Sequence, residues 1–185
     1  PGDAARQRVQ QMLQQHGLQP KQFIQIHPAS RWLFKCWPAA RMAELIRQLQ
    51  SQGRQIVLTA APDEKERELI GNIKAQLAQP LVDLSGQLTL KELAALTGQA
   101  QLFIGMDSVP MHIAAAMQTP TLALFGPSGD IEWGPWQVPH RIVTSNHPCR
   151  PCGKDGCGGS KRSECLDLIP VQQVLAAMQA LEAEL

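Results

Sequence analysis

Leu102-Phe103-Ile104-Gly105-Met106-Asp107-Ser108-Val109-Pro110-Met111-His112-Ile113-Ala114-Ala115-Ala116 is the stretch that decides the fold. It opens on an unbroken apolar run, the mark of a strand buried on both faces, and ends on small apolar residues at helical density. Between the two, Gly105 can turn without a Cβ penalty, Asp107 or Ser108 supplies an N-cap, and Pro110 falls in the first helical turn, where proline is tolerated. A buried strand running straight into a helix is the first half of a strand–helix–strand unit with parallel strands. The partner strand is expected at Thr121-Leu122-Ala123-Leu124-Phe125.

Upstream the same alternation repeats. Phe23–His27, Gln55–Thr59 and Leu81–Leu84 read as strands. Pro38 to Gly53, Pro62 to Leu77 and Thr89 to Gly98 read as helices, the last with Thr89 and Glu92 at capping-box spacing. A Gln-rich helix over Asp3–His16, with Val9, Met12 and Leu13 on one side, precedes them and stops at Gly17. After Gly126, Pro, Trp, Gly and Cys dominate as far as Cys165, relieved by a candidate strand at Arg141–Thr144. Pro170–Leu185 closes the chain as an amphipathic helix. Strands alternating with helices predict a doubly wound, Rossmann-like parallel α/β sheet over residues 21–185. Residues 146–166 form an irregular Cys-rich excursion, and residues 1–20 read as an N-terminal helix and linker.

The chain of 185 residues is too short for two domains of ordinary size. Seventeen basic and sixteen acidic side chains leave a formal charge of +1, which offers no electrostatic case for nucleic acid. No apolar run approaches the roughly 20 residues of a spanning helix. No basic segment followed by an apolar core marks a secretory signal. The start at Pro1-Gly2-Asp3, without Met, leads us to expect a cut or internal start with further sequence upstream.

In open parallel sheets, ligands bind beyond the carboxyl ends of the strands. Ser108 and His112 are four residues apart on one helix face, beside amide donors and a positive dipole end that suit a phosphate. Asp107 is placed to orient a hydroxyl or a cation. The same residues also serve as ordinary caps and packing groups. Lys35 is a cation in a loop of Trp and Phe, a phosphate counter-charge or a solvated lysine. Glu64 suits a sugar or ribose hydroxyl, or simply the helix dipole. His27, before Pro28, reads as a packing residue. No Gly-x-Gly-x-x-Gly follows the first strand and no P-loop pattern is present, which argues against standard dinucleotide and P-loop sites. Cys149, Cys152, Cys157 and Cys165 form Cys-x2-Cys-x4-Cys-x7-Cys; zinc, free or oxidisable thiols, and disulfides all remain open on spacing alone. Cys36 has no evident His-plus-acid partner and reads as an incidental thiol.

Phe23-Ile24-Gln25-Ile26-His27-Pro28 with Lys35-Cys36-Trp37-Pro38, Ala61-Pro62-Asp63-Glu64-Lys65-Glu66-Arg67, the Asp107-Ser108-x-x-x-His112 box and Leu124-Phe125-Gly126-Pro127-Ser128 together resemble the ADP-heptose:lipopolysaccharide heptosyltransferases, most of all the heptosyltransferase III branch. The resemblance implies the donor-binding half of a two-domain GT-B glycosyltransferase, inverting and with no metal or other cofactor required. It implies that Lys35, Asp107, Ser108 and His112 face the diphosphate and heptose of ADP-heptose, that Glu64 faces the ribose, and that backbone near Ala29, Ser30 and Leu88 lines the nucleotide. The catalytic base and the lipopolysaccharide core acceptor would belong to the other half, so this chain is expected to bind donor without transferring sugar. A cytoplasmic location follows, with peripheral contact at the cytoplasmic face of the inner membrane. A non-catalytic binding module with a zinc-held cysteine loop is the alternative.

Overall fold

The computed structural model describes all 185 residues. Six strands form one all-parallel sheet: β1 Phe23–His27, β2 Gln55–Leu58, β3 Val82–Asp83, β4 Leu102–Met106, β5 Thr121–Leu124 and β6 His140–Val143. Their order is β3-β2-β1-β4-β5-β6, with the direction of winding reversing between β1 and β4. The candidate strand of the late segment is real, begins one residue earlier than predicted, and pairs with β5 from Thr121↔His140 to Leu124↔Val143. β1 and β4 are buried along their whole length, as central strands covered on both faces must be.

The helices are α1 Asp3–Gln15, α2 Ala39–Ser51, α3 Glu64–Lys74, α4 Leu90–Thr97, α5 Val109–Ala116, the short α6 Asp130–Trp133 and α7 Glu164–Asp167, and α8 Val171–Glu182. The predicted capping box is formed: the Thr89 amide donates to Glu92 Oε2 at 2.8 Å and the Glu92 amide to Thr89 Oγ1 at 3.2 Å. α2, α3 and α8 cover one face, where Met42, Leu45, Ile46 and Leu49 meet Ile24, Ile26, Leu58 and Ile104 in the main core. Trp37, at the entry to α2, ties this layer to α8 by donating from Nε1 to the Ile169 carbonyl at 3.2 Å.

α1, α4 and α5 cover the other face. Residues 1–20, predicted as a helix and linker, are packed into this unit. Ala5, Val9, Leu13 and Leu18 are buried against Phe23, Val57, Ala95 and Leu96. The 3.6-residue spacing of Ala5, Val9 and Leu13 gives α1 an apolar stripe that the open half of the sheet covers. No helix is long and apolar enough to cross a membrane.

Candidate functional site

A cavity of about 880 Å³ lies across the carboxyl rim of the sheet, where the loops after β1, β2, β3 and β4 meet. This is the topological switch point at which doubly wound sheets take their ligands. Of the predicted site residues, Ser30, Lys35, Leu88, Asp107, Ser108 and His112 line it. Glu64 does not.

The loop after β1 is built to present Lys35. The buried Ser30 donates its amide to Cys36 Sγ at 3.2 Å, and its hydroxyl accepts the Trp32 amide at 3.3 Å. A single 3-10 turn, Leu33–Lys35, fits between these contacts. Behind it, Ser163 donates its hydroxyl to the Phe34 carbonyl at 2.6 Å. Lys35 Nζ then reaches Asp107 Oδ2 at 2.6 Å, across to the end of β4. Two residues read separately in the sequence therefore form one ion pair. Asp107 is almost wholly buried and Lys35 mostly so, which screens the pair less than a surface bridge. Burial pushes the Cys36 thiol up to about 12, so this cysteine is no ready nucleophile.

Ser108 is the N-cap of α5 in extended backbone, yet its side chain makes no capping bond to the helix. Its hydroxyl leans back to the Met106 carbonyl at 3.3 Å. The first turn of α5 thus has no side-chain cap. Pro110 brings no N–H and the Met111 amide donates to the Ser108 carbonyl at 3.0 Å, which leaves the Val109 amide as its free donor, with exposed His112 one turn further on the same face as Ser108. Gly105, expected as a turn residue, lies inside β4. A Cβ there would stand 2.6 Å from the Phe103 ring and 3.2 Å from the His27 carbonyl, so space rather than backbone torsion demands glycine.

A buried polar chain underlies the cavity. Gln25 Nε2 donates to Thr59 Oγ1 at 3.1 Å, and Thr59 Oγ1 lies 3.0 Å from His27 Nδ1. His27 Nε2 faces Glu66 Oε2 at 3.9 Å, and the same carboxylate oxygen accepts the Ala61 amide at 2.8 Å. The Thr59 hydroxyl also lies 3.5 Å from the Ile26 carbonyl, and which of His27 Nδ1 and Thr59 Oγ1 donates follows the imidazole tautomer. Burial drives His27 down to about 4 and pushes the Glu66 carboxyl up. The unfolded chain takes up a proton near 6.5, while native His27 resists protonation until about 4. Its contribution to stability is therefore present above 6.5 and lost as pH falls from 6.5 to 4. The loss approaches about 3 kcal/mol at roughly 1.4 kcal/mol per unit, offset in part by Glu66, whose raised value acts in the opposite sense. Denaturant melts from pH 7 to 4 should show this slope, flattened in His27→Gln; equal slopes would remove His27 as its source.

The sequence pointed to Glu64 where the cavity presents Glu66. Asp63 caps α3 through the amides of Lys65 and Glu66, which leaves Glu64 exposed in the first turn. Glu66, Ile70 and Ile73 share the buried face at helical spacing, and that periodicity was the available signal. Two exposed aromatics of the lining were not among the expected site residues. Trp32 and Trp133 are 55% and 60% exposed, large aromatics left at the mouth of a cavity.

The cysteine excursion stands apart from this cavity. Its backbone is clamped behind β5, with the Cys152 and Gly153 amides on the Pro127 carbonyl and Arg150 Nε on the Gly126 carbonyl. Cys149, Cys152, Cys157 and Cys165 are free thiols. No three His, Cys, Asp or Glu side chains converge in a way that could hold a metal ion, so the geometry lends no support to a zinc-held loop.

Strand order, helix layers and a cavity at the switch point define a Rossmann-like α/β domain of the class that lays a ligand across its strand ends. The profile of glycosyltransferase family 9 (heptosyltransferase) matches residues 2–161, and the chain belongs to that family. It is 34% identical over 166 residues to lipopolysaccharide heptosyltransferase 3 of Escherichia coli K12, covering 88% of this chain and 47% of the relative. The structure of E. coli ADP-heptose lps heptosyltransferase II aligns with all of this chain and 53% of its own, with TM-score 0.77 and 25% identity. A glycosyltransferase family 9 structure from Veillonella parvula aligns over the same shares, with TM-score 0.83 and 25% identity. The chain thus spans about half the length of these relatives.

Proposed function

We propose that this chain is the donor-binding half of an inverting, metal-independent heptosyltransferase that takes ADP-heptose and serves transfer to the lipopolysaccharide inner core. The observation that carries the proposal is the Lys35–Asp107 pair at the start of α5, inside the cavity of a family 9 chain. A diphosphate at this point meets a cation, the free Val109 amide and the positive end of the helix together. Lys35 Nζ exchanges Asp107 Oδ2 for a diphosphate oxygen, and Asp107, released, accepts from a heptose hydroxyl. Ser108 and His112 add donors along the same helix face. As the bond from the anomeric carbon to the diphosphate breaks, negative charge builds on departing ADP, where Lys35 and the positive end of the helix stabilise it.

The apolar end of the cavity, at Leu88, Leu90 and Leu93, takes the adenine, with backbone at Ala29 and Ser30 along its side. Glu66, with Glu64 exposed at the start of α3, serves the ribose. Attack needs an acceptor hydroxyl in line with the anomeric carbon and a base for its proton. We assign both to the part of the enzyme that this chain does not span. Such an enzyme works at the cytoplasmic face of the inner membrane, where the lipopolysaccharide core is presented.

Calorimetry of the chain with ADP-heptose, ADP, UDP and GDP tests the proposal. ADP-heptose and ADP should bind, with UDP and GDP at least about tenfold weaker, which corresponds to roughly 1.4 kcal/mol of base discrimination. No preference for adenine, or no binding of any diphosphate, would refute it.

A further inference from the structure

Trp133 is held at the lip of the cavity by a segment that gives it little freedom. Its amide donates to the Gly129 carbonyl at 3.2 Å, and Arg150 grips the same turn through Asp130 Oδ1 at 3.0 Å and the Gly126 carbonyl at 2.6 Å. Directly after it, Gly134 has no room for a side chain, since a Cβ would lie 2.6 Å from the Asp130 carbonyl oxygen. The ring is nonetheless 60% exposed and lines the cavity with Lys35, Asp107, Ser108 and His112. A large aromatic carried by a rigid turn and left open to solvent gains most when a ligand covers it.

The two ends of the cavity differ in chemistry. Beyond β2 and β3 the walls are aliphatic, with Pro62, Leu88, Leu90 and Leu93. Beyond β4 and β5 they combine hydrogen-bonding side chains with the indole of Trp133. A pyranose ring asks for that combination, because its hydroxyls need polar partners while its C–H face is apolar. The flat face of a base suits the aliphatic end, with backbone at Ala29 and Ser30 along its edge. We propose that Trp133 is the platform for the sugar of the bound nucleotide-sugar, packing on the apolar face of the ring while Asp107, Ser108 and His112 take its hydroxyls. The assignment rests on the nucleotide-sugar reading and makes Trp133 a specificity-determining residue: it favours ADP-heptose over ADP and leaves the ADP portion untouched.

The test is calorimetry of ADP and ADP-heptose with the unmodified chain, Trp133→Ala and Trp133→Phe, with thermal melts of all three. Aromatic contacts of this kind correspond to about two- to tenfold in affinity. ADP-heptose should bind more tightly than ADP to the unmodified chain by a factor in that range. Trp133→Ala should lower the ratio by about two- to tenfold while ADP affinity changes less than about twofold. Trp133→Phe should keep most of the ratio. A ratio unchanged in Trp133→Ala, or equal losses for both ligands, overturns the assignment. Absence of ADP binding by the unmodified chain overturns the nucleotide reading itself, and this one with it.

Discussion

Lys35→Ala should weaken ADP binding by about 10- to 100-fold, the loss expected when a charge-assisted hydrogen bond to a diphosphate is removed. The upper part of that range is favoured because Lys35 also neutralises Asp107 at 2.6 Å. Without the lysine, a nearly buried carboxylate faces the diphosphate uncompensated, and like charges at close range repel strongly in a partly buried site. Asp107→Asn should act in the opposite sense on ADP, removing both the repulsion and the competitor for Lys35. Glu64→Ala should cost no more than about two- to tenfold, since its carboxylate is exposed and makes at most a hydrogen bond to a neutral partner. Calorimetry at one fixed salt concentration ranks the three. Equal affinities for the unmodified chain and Lys35→Ala would remove Lys35 from the site.

Trp37→Ala should destabilise the chain by about 3–5 kcal/mol, the range for truncating a large buried aromatic. The side chain is 1% exposed, stands in the main core between the β1 loop and α2, and holds the Ile169 carbonyl ahead of α8. Its loss opens a cavity and leaves Arg41 Nη1, at 2.7 Å, as the remaining donor to that carbonyl. For a chain of this length the melting temperature should fall by roughly 10 °C. Trp37→Phe should retain most of the packing and lose about 1 kcal/mol with the hydrogen bond. Urea denaturation followed by circular dichroism measures both. A cost below 1 kcal/mol for Trp37→Ala would mean that the layer of α2 and α8 does not depend on this anchor.

The parallel sheet was legible because its central strands are short apolar runs and its helices carry their own caps. Phe23–His27 stands where the sequence places it, and Leu102–Met106 starts where expected but runs on past Gly105, the expected turn. Thr89 and Glu92 close the box that their spacing predicts. β6 was harder to see, since an edge strand needs only one buried face and its first three residues are half-exposed.

The site was legible by segment rather than by contact. Strand-end position points to Lys35 and Asp107 one at a time. Their pairing spans 72 positions of sequence, and only the adjacency of β1 and β4 creates it. Glu66 was missed because a carboxylate in a first helical turn ordinarily serves the dipole. Its burial beside His27 depends on where α3 lands against β1 and β2. Trp133 was hidden in a stretch with no period, where neither strand nor helix pattern says which way a side chain points.

The central claim is that the carboxyl rim of the sheet, and not the cysteine excursion, binds a nucleoside diphosphate. Titration of the isotopically labelled chain with ADP, followed through backbone amide shifts, tests it most directly. The account predicts saturable shifts at Ser30–Lys35, Ala61–Glu66 and Asp107–His112, where loops and helix starts line the cavity. Shifts confined to residues 149–165, with those three segments unmoved, would contradict it.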